Sequence, residues 1–135
     1  MEEDEELQRI RAKKLREITQ RGGGEEAGKN VIELNDLTFD EALQKTDGPL
    51  LVDFWAAWCM PCRIMAPVVE ELARDYAEKA VFAKVNVDEN PNTALRYQVM
   101  SIPTFIIFKN GRPAERIVGA VGREPLERAL KASLT

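Results

Sequence analysis

From residue 31 onward the apolar positions fall into short runs, each bounded by polar breaks. VIEL (Val31 to Leu34) has the composition of a short strand. LTFDEALQK (Leu37 to Lys45) predicts a helix, with Thr38 as its cap and Glu41 three residues on, the spacing of a capping box. LLVDFWA (Leu50 to Ala56) is almost continuously apolar, the signature of a strand buried on both faces. Pro61 to Tyr76 predicts a helix in which Ile64, Val68, Leu72 and Tyr76 recur every fourth residue on one face. Pro67 lies inside that pattern and predicts a kink, because proline removes a backbone donor. VFAKVNVD (Val81 to Asp88) reads as a strand with partial alternation, and NTALRYQV as a short helix. TFIIFKNGRPAERIVG predicts a hairpin turning at Asn110-Gly111. Arg123 to Leu134 closes the chain as a helix. The order is roughly βαβαβαββα, with parallel crossovers first and an antiparallel hairpin late. That order predicts an α/β fold, a mixed central sheet with helices on both faces.

The first thirty residues differ in kind. Residues 1 to 21 alternate charge over a helical pattern whose apolar positions are Leu7, Ile10, Leu15 and Ile18. Acidic Glu2 to Glu6 precede basic Arg9 to Arg16, a polarity that suits the helix dipole. RGGGEEAGKN (Arg21 to Asn30) then reads as a flexible linker. The expected organisation is therefore a charged extension with linker over 1–30 and one domain over 31–135. A solvated helix, a disordered tail and a docking helix all fit the extension.

With 135 residues, the chain is long enough to bury a core without covalent staples. Hydrophobic residues make up 44% and charged residues 31%, with a net charge of −4. This mild acidity gives no reason to expect a nucleic acid or an anionic membrane surface as partner. No apolar run is long enough to span a bilayer. The start, MEEDEE, lacks the basic and apolar character of a secretory signal. The cytoplasm is the expected compartment, and a reducing cytoplasm disfavours structural disulfides.

The only two cysteines, Cys59 and Cys62, nevertheless stand two residues apart in DFWAAWCMPCRIMAP. The predicted elements place Cys59 after a buried strand and at the start of a helix. Ligand and catalytic sites of open α/β sheets cluster at that end. Unpaired backbone N–H groups and the helix dipole favour a thiolate there. Pro61 suits a first helical turn, where a missing N–H costs nothing. Cys62 lies one turn further in and is expected to be the less exposed. Cys59 would attack a partner's disulfide and Cys62 would resolve the mixed disulfide. Three blander readings compete. Zinc would need two further ligands in a chain without histidine. A structural disulfide closing so short a loop would add only about 2 kcal/mol. Two inert core cysteines are common enough. A cytosolic Cys-X-X-Cys near a βαβ pattern favours the redox dithiol over all three.

WCMPC resembles the WCGPC of the thioredoxin family. DFWAAWC, FAKVNVDENP, SIPTFIIFKNG and IVGA are similar to the family's other landmarks, in the same order and at matching spacing. The resemblance covers about residues 31 to 135. It implies the thioredoxin fold and a thiol–disulfide oxidoreductase that reduces client disulfides through Cys59 and Cys62. It implies no metal or organic cofactor, since the Cys59–Cys62 disulfide itself cycles. The implied partners are disulfide-containing client proteins and a thioredoxin reductase or equivalent donor, with the protein acting as a monomer.

The resemblance also assigns roles. Asp53 would lie beneath the Cys pair and exchange protons with Cys62. Its position in an apolar strand independently predicts a raised pKa, although an Asp facing a loop or solvent would fit the sequence too. Lys84 would pair with Asp53, and is as easily an outward-facing strand residue. Ile102-Pro103 would be the family's cis-proline step, facing the Cys pair and holding an extended substrate strand. Trp58, Met60, Pro61, Ile102, Pro103, Gly119 and Ala120 would form an apolar docking surface. Trp55 and Phe54 read as core. Three residues depart from the pattern. Met60 replaces the usual Gly beside the attacking sulfur, where it bears on redox poise and partner choice. Ser101 replaces a frequent Gly, and Arg63 replaces a common Lys while keeping its charge.

Overall fold

A computed structural model describes residues 30–135, and the expected helix and linker over residues 1–29 lie outside them. Five strands form one sheet in the order β1-β3-β2-β4-β5. They are β1 (Val31–Glu33), β2 (Leu50–Trp55), β3 (Val81–Asn86), β4 (Thr104–Lys109) and β5 (Arg112–Val118). The helices are α1 (Phe39–Lys45), α2 (Met60–Asp75), α3 (Pro91–Arg96) and α4 (Arg123–Ser133). β1 and β2 pair parallel to β3, whereas β4 runs antiparallel to both β2 and β5. The mixed α/β architecture expected from the patterning is therefore the one observed.

β2 is the central strand and is buried along almost its whole length. Its side chains alternate between two cores, as the strand period of two requires. Leu50, Val52 and Phe54 face a core with Leu34, Phe39 and Leu43 from the α1 side, together with Ala83, Val85, Ile106 and Phe108. Leu51 faces the other core, made with Met65, Val69 and Leu72 of α2 and Leu126 and Leu130 of α4. A strand enclosed in this way has no solvated face, which explains its unbroken apolar run. The β4–β5 turn falls at Asn110 (φ 55°) and Gly111 (φ 78°). Two successive positive φ values are what a two-residue hairpin turn demands.

Two helix expectations need correction. The buried face of α2 carries Cys62, Met65, Val69, Leu72 and Ala73, while Ile64 is 62% exposed. A spacing of four drifts around a helix of 3.6 residues per turn, so the stripe through Ile64 leaves the core. At α1, Thr38 makes no side-chain cap hydrogen bond. Asn35 Oδ1 instead accepts from the N–H groups of Leu37 (2.9 Å) and Thr38 (3.0 Å), forming the local turn itself. Glu41 reaches Lys45 one turn on, at 3.5 Å. α2 continues through Pro67, although the proline offers no N–H to the preceding turn.

Candidate active site

β2 ends at Trp55 and α2 begins at Met60. Ala56 to Cys59 form the connecting turn, closed by the Cys59 N–H donating to the Ala56 carbonyl at 3.1 Å. Cys59 is thereby the N-cap of α2, with extended backbone and Pro61 in the first turn. Cys59 and Cys62 are joined as a disulfide. The Cys62 N–H donates to Cys59 Sγ at 3.2 Å. One of the orphan N–H groups of a 16-residue helix therefore points at this sulfur. When the pair is reduced, that donor and the helix dipole would stabilise negative charge on Cys59.

The expected difference in exposure is not observed, because Cys59 is 3% and Cys62 2% exposed. What differs is the surroundings. Both pack in one small cluster with Ala56, but Cys59 also lines an open groove of about 450 Å³ and Cys62 does not. The groove is also lined by Trp58, Met60, Pro61, Val87, Val99, Met100, Ser101 and Ile102. The Ile102 carbonyl oxygen lies 3.8 Å from Cys59 Sγ. Ile102-Pro103 is a cis peptide bond. Its loop is held by the Thr104 hydroxyl donating to the Ser101 carbonyl (2.5 Å) and by the Gly119 N–H donating to the Pro103 carbonyl (2.8 Å).

Of the expected docking residues, Trp58, Met60, Pro61 and Ile102 line this groove. Pro103 is buried behind it, and Gly119 and Ala120 lie alongside through the bond to Pro103. Trp58 is fixed by its indole N–H, which donates to Asp88 Oδ2 at 2.7 Å. Val87, Val99 and Met100 line the groove and Asp88 holds Trp58, although the sequence patterning left Val87 and Asp88 at a strand end, Val99 at the end of a short helix that in fact stops at Arg96, and Met100 in a loop. Met100 carried one signal that could have found it, an apolar residue directly before the Ser-Ile-Pro step. In the structure it is 90% exposed.

Asp53 is buried on the face of β2 that also carries Leu51, which is the face covered by α2. Its Oδ1 has no hydrogen-bond partner among the described residues. Burial raises its pKa from 3.8 to about 7, and the charge of Lys84 opposes the rise. Lys84 is the register partner of Asp53 across the β2–β3 ladder, so both side chains leave the sheet on the same side. The ammonium of Lys84 sits over the Trp55 ring, 5.2 Å from its centroid. Trp55, expected in the core, is half-buried and packs against Ala56 and the two cysteines, and its indole N–H has no hydrogen-bond partner among the described residues. No group of three or more His, Cys, Asp or Glu side chains that could hold a metal occurs among the described residues. Among the same residues no helix is long and apolar enough to cross a membrane.

A two-residue-spaced disulfide at a helix N-terminus, with one sulfur lining an open groove and a buried carboxyl on the strand that leads to it, is the arrangement of a thiol–disulfide exchange protein. The comparisons agree. The family model described as Thioredoxin matches residues 30–132. The chain is 55% identical over 100 residues to a thioredoxin of Alicyclobacillus acidocaldarius subsp. acidocaldarius, covering 74% of this chain and 94% of that one. It is 50% identical over 104 residues to a thioredoxin of Staphylococcus haemolyticus, covering 77% and 98%. A Staphylococcus aureus thioredoxin is 49% identical over the same length and shares. The chain belongs to the thioredoxin family, and it is a thiol–disulfide oxidoreductase.

Proposed function

We propose that the protein works as a cytoplasmic reductant of client-protein disulfides, with residues 31–135 as the catalytic unit and the dithiol as its only redox group. The observation that carries this is Cys59 Sγ at the N-terminus of α2, lining an open groove beside the Ile102 carbonyl. The Cys59 thiolate attacks one client sulfur. A mixed disulfide forms and one client thiolate leaves. Cys62 then gives up its proton to Asp53 and attacks Cys59 Sγ. The intramolecular disulfide closes, and the second client sulfur departs and takes up a proton. Two electrons pass to the client, and a thioredoxin reductase or an equivalent donor restores the dithiol.

Asp53 suits the proton step because a carboxyl with a pKa of about 7 exchanges protons readily at neutral pH. Lys84 tempers that pKa from the next strand. Trp58, Met60, Pro61 and Ile102 receive the client, Pro103 shapes the loop behind them, and Gly119 with Ala120 extends the rim. A monomer suffices, since every residue in this scheme comes from one chain.

The test is the redox equilibrium of the full chain against a dithiol buffer, followed by tryptophan fluorescence. Thioredoxin itself sits at about −270 mV, a known value of the family rather than a consequence of this geometry, and a strong oxidant of the class at about −120 mV. We expect a value near the first. A value near the second would mean that Met60 has retuned the pair toward oxidising dithiols.

A further inference from the structure

The groove beside Cys59 is bounded by two exposed methionines on different elements. Met60 is 62% exposed at the first turn of α2, and Met100 is 90% exposed on the loop between α3 and β4. Among the groove's lining residues none is charged. Its floor and walls are Val87, Val99, Pro61, Ile102 and the Trp58 ring, with the Ser101 hydroxyl as the one side-chain oxygen. At about 450 Å³ it is within the size range of clefts that enclose a small ligand, on the order of 300–1,000 Å³. It is therefore large enough for one bulky side chain and the backbone on either side of it. Methionine is unbranched and polarisable, so a pair of them adapts to aromatic and aliphatic shapes alike. An acidic side chain entering this space would lose water and meet no cation among the lining residues.

We propose that Met100, with Met60, is a specificity-determining residue that selects client disulfides flanked by a bulky apolar side chain. The proposal rests on the reductase reading and narrows it to a substrate class. Its occupant is an extended client segment whose cystine sulfur meets Cys59 while the neighbouring apolar side chain enters between the two methionines. The groove is continuous with the reacting sulfur, since Cys59 itself lines it. An apolar neighbour of the client cystine is therefore buried in the encounter that leads to exchange. Met65, the other methionine of α2, is 1% exposed and belongs to the core, whereas neither rim methionine is part of a buried cluster.

The experiment uses the full chain and two peptide disulfides that differ only in the residue next to the cystine, Phe in one and Asp in the other. Partial burial of a Phe side chain predicts a kcat/KM for the Phe peptide roughly tenfold above that for the Asp peptide, expressed mainly in KM. Met100→Gln should shrink the ratio to about threefold or less, and Met100→Leu, which keeps the apolar bulk, should retain it. Equal rates for the two peptides with the native chain overturn the proposal. So does a Met100→Gln variant that loses rate on both peptides alike and keeps their ratio. Hydroxyethyl disulfide, too small to reach Met100, is run with the native chain alone. If it and both peptides stay unreduced, the reductase reading fails and takes the specificity assignment with it. If it is reduced while the peptides show no preference, only the assignment fails.

Discussion

Asp53, on the sheet face that α2 covers, and Glu127, on α4 beside the end of α2, are carboxylates whose environments drive them in opposite directions. Asp53 is buried beneath the helix with an unpartnered oxygen, and its pKa rises to about 7. Glu127 sits on α4 at the outer seam with α2. There it accepts from Arg123 Nε (3.1 Å) and from the Tyr76 hydroxyl (2.6 Å), and its pKa falls to about 2. Arg123 also reaches Glu71 and Asp75 of α2, so one guanidinium gathers three carboxylates. Hydrogen-bond donors, chiefly from Arg123, account for the lowered value, and desolvation for the raised one. Glu127 ties two helices together. Asp53 destabilises the fold when ionised, and keeps a titratable proton inside the core on the α2 face of β2.

Three experiments would break or sharpen this contrast. The largest effect lies at the disulfide on the Asp53 side. Cys59→Ser should reduce turnover to the uncatalysed background, and Cys62→Ser should accumulate a mixed disulfide with the client, visible on a non-reducing gel. Equal trapping through Cys62 in the Cys59→Ser variant would overturn the assignment of the two roles.

The second effect is thermodynamic and has a definite sign. Asp53 has a folded pKa above its unfolded value, so the native state holds a proton that the unfolded chain releases. The associated stability is intact below about pH 3.8, declines as pH rises, and is gone above about pH 7. Asp53→Asn removes that loss. In urea melts the variant should match the native chain in acid and exceed it at pH 8.5 by an amount on the order of 4 kcal/mol at most, from about three pKa units at 1.36 kcal/mol each. Its client turnover should drop about tenfold near pH 7 as the proton acceptor is lost. A variant no more stable than the native chain at pH 8.5 would show that Asp53 is not held in the protonated form by burial.

The smallest effect belongs to Glu127, whose sign is the reverse. Its folded pKa is depressed, so its contribution is present above about pH 4.5 and fades as pH falls toward 2. Glu127→Gln should lower Tm slightly at neutral pH in low salt, because exposed ion pairs contribute little. The difference should narrow in about 1 M salt, where screening acts within roughly 3 Å. A variant with unchanged Tm at every pH would show that Glu127 adds nothing to the seam beyond apolar packing and the Arg123 pairs with Glu71 and Asp75.

The element order was legible because each run of side chains carried its own period. β2 announced itself by a continuous apolar stretch, and the hairpin by Asn110-Gly111. Errors arose where two signals of equal strength compete over one turn of chain. Ile64 and Met65 are adjacent and both apolar, and only the packing of α2 on the sheet decides that Met65 goes inward. Thr38 and Asn35 are both good capping residues, and the turn Asn35 makes with Leu37 and Thr38 takes precedence. The two sulfurs and Asp53 stood out because their chemistry is unusual in an apolar context. Val87 did not, because nothing local in a strand end tells that it borders Cys59 across the fold, and Met100 had only its place before the Ser-Ile-Pro step to mark it. That proximity depends on β4 lying antiparallel beside β2.

The same reversal at β4 has an engineering consequence. β4 starts at Thr104, just after the Ile102-Pro103 step whose Ile102 carbonyl meets Cys59 Sγ, and runs six residues to the Asn110-Gly111 turn, about 20 Å away at roughly 3.4 Å per residue. The exposed loop tip is thus the end of the hairpin most remote from catalysis, and surface tips of this kind accept foreign sequence best. We expect a short reporter peptide inserted between Asn110 and Gly111 to leave client reduction within about twofold of the parent, as a side-by-side turnover assay would show. The same insert beside Pro103 should abolish it. One end of the hairpin is a handle, and the other is a working part.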